Sequence, residues 1–140
     1  HFINLSSIFG NHPVVGAAIY GATKAAVDYF SHSVRQESRG VIRVTVVKPT
    51  GVMATGLVDS IVNRKAAGGI TGQNTSDYLE LINRFSTKTA SPAELDPNSA
   101  GYASLAPEYI ADAILHVIDQ PAGVSISDVT VRATGDHFVL

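Results

Sequence analysis

Three residues near the start of the chain, Ser7, Tyr20 and Lys24, have the types and spacing needed for proton transfer. Tyr20 and Lys24 are four residues apart, so on a helix their side chains lie on the same face about one turn apart. A phenol has a pKa of about 10, but a lysine cation held close to it stabilises the phenolate form. Tyr20 is therefore a candidate acid/base for a carbonyl or alcohol oxygen, and Ser7 is a candidate to hold the same oxygen.

A strand, a helix and a second strand are needed to position these residues. Residues 2–6 form a short apolar run that predicts a buried strand, and Ser7 follows at its carboxyl end, where open parallel sheets bind ligands. From residue 18 to residue 38 apolar side chains recur at helical spacing, and Gly40 is a suitable helix stop. Residues 41–47 are mostly apolar and β-branched, which favours a parallel strand covered on both faces. Together these segments predict a βαβ unit. The apolar stripe of its helix consists of Ile19, Ala22, Ala26, Phe30 and Val34.

The rest of the chain predicts an irregular insert followed by a helix and a strand. Residues 53–105 hold two short amphipathic pieces, at 57–65 and 77–85, among several glycines and prolines, and long segments of this kind are often lids. Pro107 opens a helix with one apolar stripe that ends near residue 118. Apolar and polar residues alternate within 124–126 and again within 129–131, but the alternation changes phase between the two segments. This pattern predicts a final strand with a bulge or bend.

The composition excludes several classes of function. The chain has 140 residues, 45% of them hydrophobic, with ten basic residues, twelve acidic residues and no cysteine. Disulfide scaffolds, thiol catalysis and cysteine-ligated zinc are therefore excluded, and the balanced, scattered charge disfavours nucleic-acid binding. None of the five histidines forms a metal-binding pair, so we expect no metal site. No apolar run is long enough to span a membrane, and the lack of cysteine fits a reducing compartment, so we expect a cytoplasmic protein.

The residues around Tyr20 resemble the classical short-chain dehydrogenase/reductase family. In that family a strand ending in Asn-x-Ser-Ser precedes a Tyr-x-x-x-Lys motif, and here Asn-Leu-Ser-Ser at residues 4–7 ends thirteen positions before Tyr20. The resemblance implies an α/β fold with a Rossmann-type doubly wound parallel sheet. It implies that Ser7 positions the substrate oxygen and that Tyr20 is the catalytic acid/base. Lys24 is then expected to assist Tyr20 and to bind the nicotinamide ribose of NAD or NADP.

A second feature of the family follows the next predicted strand. The family has a Pro-Gly turn there, beside the nicotinamide, with a threonine a few residues later. Residues 49–55 of this chain are Pro-Thr-Gly-Val-Met-Ala-Thr, with threonine in place of the expected glycine and the later threonine one position late. The resemblance implies four cofactor neighbours in this turn: Pro49, Gly51, Val52 and Thr55. In the loop after Ser7, Phe9 and His12 are candidates for the substrate pocket.

The resemblance covers only part of the family's domain. The glycine-rich dinucleotide turn and the active-site asparagine of the family are not found in this sequence. Residues 1–140 are therefore expected to be the C-terminal half of a single Rossmann-type domain, with three parallel strands, crossover helices and a substrate lid at about 53–105. The N-terminal dinucleotide-binding half is expected upstream. The resemblance also implies a homodimer or homotetramer.

Three functions remain open at this point. The first is an NAD(P)-dependent oxidoreductase that interconverts a small-molecule alcohol and a ketone or aldehyde by hydride transfer. The second is a non-catalytic Rossmann-like module for assembly or regulation, against which the intact set of Ser7, Tyr20 and Lys24 argues. The third is a related epimerase or dehydratase, against which the short chain after Lys24 argues. We favour the first.

Overall fold

A three-stranded parallel sheet organises the chain. The computed structural model describes residues 1–53, 55–57, 60–63 and 68–138. Its strands are β1 (Phe2–Leu5), β2 (Val44–Pro49) and β3 (Asp128–Val131), in the order β1-β2-β3. Both pairings are parallel, with Asn4 opposite Val46 in the first and Val47 opposite Val129 in the second. The α/β fold with parallel strands and crossover connections is confirmed.

Helices fill the connections between the strands. The first crossover holds α1, which begins one residue before the predicted apolar stripe and ends three residues before Gly40. Since β1 pairs in parallel with β2, the predicted βαβ unit is confirmed. Within the described residues no helix is both long and apolar enough to cross a membrane. The α-helices are α1 (Ala18–Glu37), α2 (Thr75–Ser86), α3 (Pro92–Leu95) and α4 (Pro107–Ile118), and 3₁₀ turns lie at Ile8–Gly10 and Gly68–Asn74.

The central strand is covered on both faces, as predicted, whereas β1 is not. Val44, Val46 and Val47 of β2 are each at most 1% exposed. In β1, by contrast, Phe2 is 58% exposed and Leu5 is 52% exposed. The prediction that the first strand is buried was therefore wrong for the described chain, because β1 lies at the edge of this sheet with β2 as its only neighbour.

The apolar stripe of α1 faces away from the sheet. Ile19 is 84% exposed and Phe30 is 62% exposed, while the buried residues of the helix are Asp28 and Ser31. The inward face is polar and hydrogen-bonded: Asn4 Nδ2 of β1 donates to Ser31 Oγ over 2.8 Å. The spacing of apolar residues predicted the helix correctly but not which side packs on the sheet.

The last strand is shorter than the predicted one. β3 begins at Asp128, and residues 124–127 approach β2 only through separate hydrogen bonds, such as Thr45 Oγ1 to the carbonyl of Ile126 (2.6 Å). The guanidinium of Arg43 donates to the carbonyl of Gln120 and holds the preceding loop (2.8 Å). The phase slip therefore lies at the start of the strand, and the prediction that the strand includes residues 124–126 was wrong.

Three predicted helical segments in the insert and after it have different outcomes. α4 begins at Pro107 and buries Ile110 and Val117, as its apolar stripe predicted. α2 contains the amphipathic piece at 77–85. The piece at 57–65 is not helical at its described residues, and positions 58, 59, 64 and 65 lie outside the described residues.

Candidate active site

The two serines after β1 have different surroundings. The amide of Ser6 donates to the carbonyl of Val47 (2.9 Å), and its hydroxyl donates to the carbonyl of Lys24 (3.2 Å). Ser7 caps the 3₁₀ turn that follows, because its Oγ accepts from the amide of Phe9 over 3.3 Å. Ser6 therefore attaches β1 to its neighbours, while Ser7 lies on the wall of a cavity.

Tyr20 and Lys24 lie together at the start of α1. The Lys24 Nζ is 5.7 Å from the centre of the Tyr20 ring, within the range of a cation–π contact. The same ammonium donates to the carbonyl of Leu5 at the end of β1 (3.1 Å). Tyr20 is 37% exposed. The helix thus holds a lysine cation against the face of an accessible tyrosine, beside the carboxyl end of a parallel strand.

A close approach of two backbone segments sets the position of this helix start. A Cβ added to Gly21 would lie 3.0 Å from the carbonyl oxygen of Phe9. A side chain at position 21 would therefore push α1 away from the 3₁₀ turn that follows Ser7. Glycine between Tyr20 and Lys24 lets the helix and the turn pack directly on each other.

A cavity of about 360 Å³ joins several of the predicted residues. Ser7, Phe9 and Tyr20 line it on one side, and Gly51 and Val52, which follow β2, line it on another. Four other predicted residues are not part of its lining: Lys24 donates to the carbonyl of Leu5, His12 is exposed, Pro49 ends β2, and Thr55 Oγ1 donates to the carbonyl of Val52 (3.3 Å). The roles assigned to individual residues stay predictions.

Several residues that line the cavity were not predicted from the sequence. Tyr78 comes from α2, whose amphipathic spacing was a usable signal, and burial raises the pKa of its phenol. His137 and Phe138 come from the segment after β3, where no pattern marked them. Thr50 also lines the cavity, and its Oγ1 is buried without a hydrogen-bond partner among the described residues.

Beneath α1 lies an ionic cluster formed by the buried residues Asp28 and Lys48 and the partly exposed Asp128. The Lys48 Nζ is 3.5 Å from Asp28 Oδ2 and 2.8 Å from Asp128 Oδ1. Asp28 is an acidic residue on α1, and it is only 7% exposed. With its amide oriented to satisfy both partners, Asn11 donates to Asp28 Oδ2 (2.6 Å) and accepts from Lys48 Nζ (3.0 Å).

This cluster joins β2, β3, α1 and the loop after Ser7. Burial acts to raise the pKa of Asp128, but the hydrogen bond and charge of Lys48, with a smaller contribution from His32, hold that pKa below its ordinary value. The carboxylate is therefore stabilised in its charged form. Among the residues that the structure describes, no group of three histidine or acidic side chains could hold a metal ion.

Known proteins resemble this chain in both sequence and fold. The family profile described as short chain dehydrogenase matches residues 1–66. A probable NADP-dependent dehydrogenase of Haemophilus influenzae is 34% identical over 97% of this chain and 44% of its own length. Residues 1–66 are therefore similar to the short-chain dehydrogenase family. An uncharacterised oxidoreductase of Staphylococcus epidermidis is 28% identical over 94% of this chain and 42% of its own length.

Solved structures show the same fold. The closed form of a serine dehydrogenase complexed with NADP⁺ has a TM-score of 0.59 and 25% identity, over 92% of this chain and 42% of that one. A variant of actinorhodin polyketide ketoreductase with NADPH has a TM-score of 0.60 and 23% identity, over 95% of this chain and 46% of that one. The chain thus spans less than half the length of the relatives it matches.

Proposed function

We propose that the chain is the C-terminal half of an NAD(P)-dependent dehydrogenase that interconverts an alcohol and a ketone or aldehyde. The observation that supports this most directly is the cavity lined by Ser7 and Tyr20, with the Lys24 ammonium 5.7 Å from the Tyr20 ring. The match of residues 1–66 to the short-chain dehydrogenase profile and the similarity to a probable NADP-dependent dehydrogenase add support. The insert at 53–105 would serve as the substrate lid.

Each of the three residues has a separate task in the proposed reaction. Ser7 Oγ already accepts from the amide of Phe9, so its own hydrogen is left to donate to the substrate oxygen. Tyr20 gives a proton to that oxygen during reduction and takes it back during oxidation. Lys24 stabilises the negative charge that appears on Tyr20 when the proton has left.

The residues present fit the nicotinamide end of the cofactor. An ammonium has three donors, and Lys24 uses one of them on the carbonyl of Leu5, which leaves others for ribose hydroxyls. Gly51 and Val52 border the same cavity beside Tyr20, where a nicotinamide ring would lie within reach of the substrate. When bound, NAD(P) supplies or accepts the hydride. The turn that would hold its phosphates is not in this sequence.

The proposal is tested by Tyr20→Phe in the full-length protein that contains this chain. We expect turnover of NAD(P)H to fall by about 10²- to 10⁴-fold, because the acid/base is lost, while the dissociation constant for NAD(P)H changes little. The matched control is Tyr29→Phe, at a tyrosine that is 77% exposed on the same helix and that we expect to leave turnover unchanged.

Three results would contradict the proposal. Undiminished turnover by Tyr20→Phe would exclude the acid/base role. A native protein that binds no nicotinamide cofactor would favour the non-catalytic assembly module, and product formation without net oxidation or reduction of the cofactor would favour an epimerase or dehydratase. The cytoplasmic location and the homodimer or homotetramer stay predictions.

A further inference from the structure

We propose that the substrate of this site carries an uncharged aromatic group beside its reacting carbon, and that Phe138 is the residue that selects it. This inference rests on the proposed function, since it names the substrate class of the same cavity. It is based on a connected set of aromatic rings, on the way Phe138 is held in place, and on the charges of the cavity wall.

Aromatic rings form a continuous wall from the candidate acid/base to the lid. The Phe9 ring lies 6.2 Å from that of Tyr20 and 5.8 Å from that of Phe138, both in edge-to-face geometry. Phe138 in turn lies 5.9 Å from Tyr78 of α2. Such pairs are favourable beyond their buried area, and a ligand ring placed among them finds both edges and faces to contact.

The position of Phe138 is set by several interactions of its own segment. Its amide donates to Asp136 Oδ1 and its carbonyl accepts from Arg132 NH2, both over 3.2 Å. Arg132 and Asp136 also form an ion pair, in which the Asp136 side chain is only 2% exposed. A Cβ on Gly51 would lie 3.2 Å from the Phe138 ring, so glycine there lets the ring pack against the turn after β2. These contacts therefore fix the Phe138 ring in the cavity wall.

The described part of the cavity wall offers no charged partner to an ionic substrate. None of the described residues that line the cavity is an aspartate, glutamate, lysine or arginine. A carboxylate or ammonium group on the substrate would lose its hydration without gaining an ionic partner from these residues, and such burial is costly. An uncharged ring has no such cost and gains the contacts described above.

The test compares three substrates in the full-length protein: 1-phenylethanol, 2-propanol and L-serine, each with NAD(P)⁺. We expect the native protein to oxidise 1-phenylethanol with a kcat/KM at least about tenfold above that for L-serine. Phe138→Ala should lower kcat/KM for 1-phenylethanol by about tenfold or more and change that for 2-propanol by less than about twofold. Phe138→Tyr, which keeps the ring, should restore the preference.

A control and the remaining outcomes separate this inference from the proposed function. Leu79→Ala, at a residue that is 57% exposed on α2, should leave kcat/KM for both alcohols unchanged. Equal losses of kcat/KM for the two alcohols in Phe138→Ala would mean that Phe138 has a structural role. A native protein that prefers L-serine would mean that the substrate is charged. Either result overturns the inference and leaves the proposed oxidoreductase function intact. NAD(P)⁺ binding without oxidation of 1-phenylethanol would also overturn it. Absence of NAD(P)⁺ binding would instead refute the proposed function.

Discussion

Replacing Lys48 by methionine tests the ionic cluster beneath α1. The side chains of Lys48 and Asp28 are only 6% and 9% exposed, and their charged atoms are 3.5 Å apart. At an effective dielectric constant of about 20, the Coulomb attraction over that distance is about 5 kcal/mol, and the desolvation of both ions offsets most of it. Asp128 is 36% exposed, so water screens its attraction to Lys48 and the pair with Asp28 dominates.

Removing the cation leaves Asp28 buried without an ionic partner. Its Oδ1 has no hydrogen-bond partner among the described residues, so the hydrogen bond from Asn11 to Oδ2 is what remains to stabilise the charge. We expect Lys48→Met to lower the free energy of unfolding by about 3 to 5 kcal/mol, the usual cost of breaking a buried pair on one side. The assay is equilibrium urea unfolding of the full-length protein, followed by circular dichroism.

Two further variants make the measurement specific. Lys88→Met, at an exposed lysine, should change the free energy of unfolding by no more than about 0.5 kcal/mol. The double variant Asp28→Asn/Lys48→Met removes both charges and should be more stable than the sum of the single losses predicts, by about 0.5 to 3 kcal/mol. A loss below about 1 kcal/mol for Lys48→Met, or strictly additive losses in the double variant, would show that Lys48 does not stabilise buried Asp28.

Two other predictions concern pH dependence and backbone conformation. The hydrogen bond from Arg84 lowers the pKa of Glu94 from 4.5 to about 2, so this carboxylate stabilises the fold fully above pH 4.5 and loses that contribution as the pH falls towards 2. Urea unfolding at several pH values should show a shallower acid decline in Glu94→Gln, and an unchanged decline would contradict this. Gly40 has a φ of +80° after α1, so Gly40→Ala should cost about 1 kcal/mol in thermal unfolding, whereas Gly123→Ala, with open space and no positive φ, should cost less than about 0.5 kcal/mol. Equal effects of the two alanines would exclude backbone strain as the cause.

Short-range sequence patterns predicted the strands and helices that position the candidate site. The run at 2–6, the helical spacing from 18 and the β-branched run ending near 47 each depend on residues close in sequence, so β1, α1 and β2 were predicted within a few residues of their observed bounds. The same holds for α4, where Pro107 opens the helix. The ends of β3 were less predictable, because this strand is defined by its hydrogen bonds to β2, which lies about 80 residues earlier in the sequence.

The candidate site was only partly predictable for the same reason. Ser7, Tyr20 and Lys24 lie within 18 positions of one another, and their motif is visible without a structure. Phe138 contributes to the same cavity only because β3 carries the chain back beside β2 and the turn at Gly51 leaves room for the ring. No spacing rule connects position 138 with position 9.

By itself, the sequence determined the βαβ unit and the chemistry of a tyrosine and a lysine one helical turn apart. Periodicity records which residues share a face of a helix but not what that face contacts. The tertiary structure alone decided that α1 turns Asp28 and Ser31 towards the sheet and leaves Ile19 and Phe30 exposed. The physical reason is that polar groups on β1 and β2, namely Asn4 and Lys48, pair with that face, and burying these groups without partners would be costly.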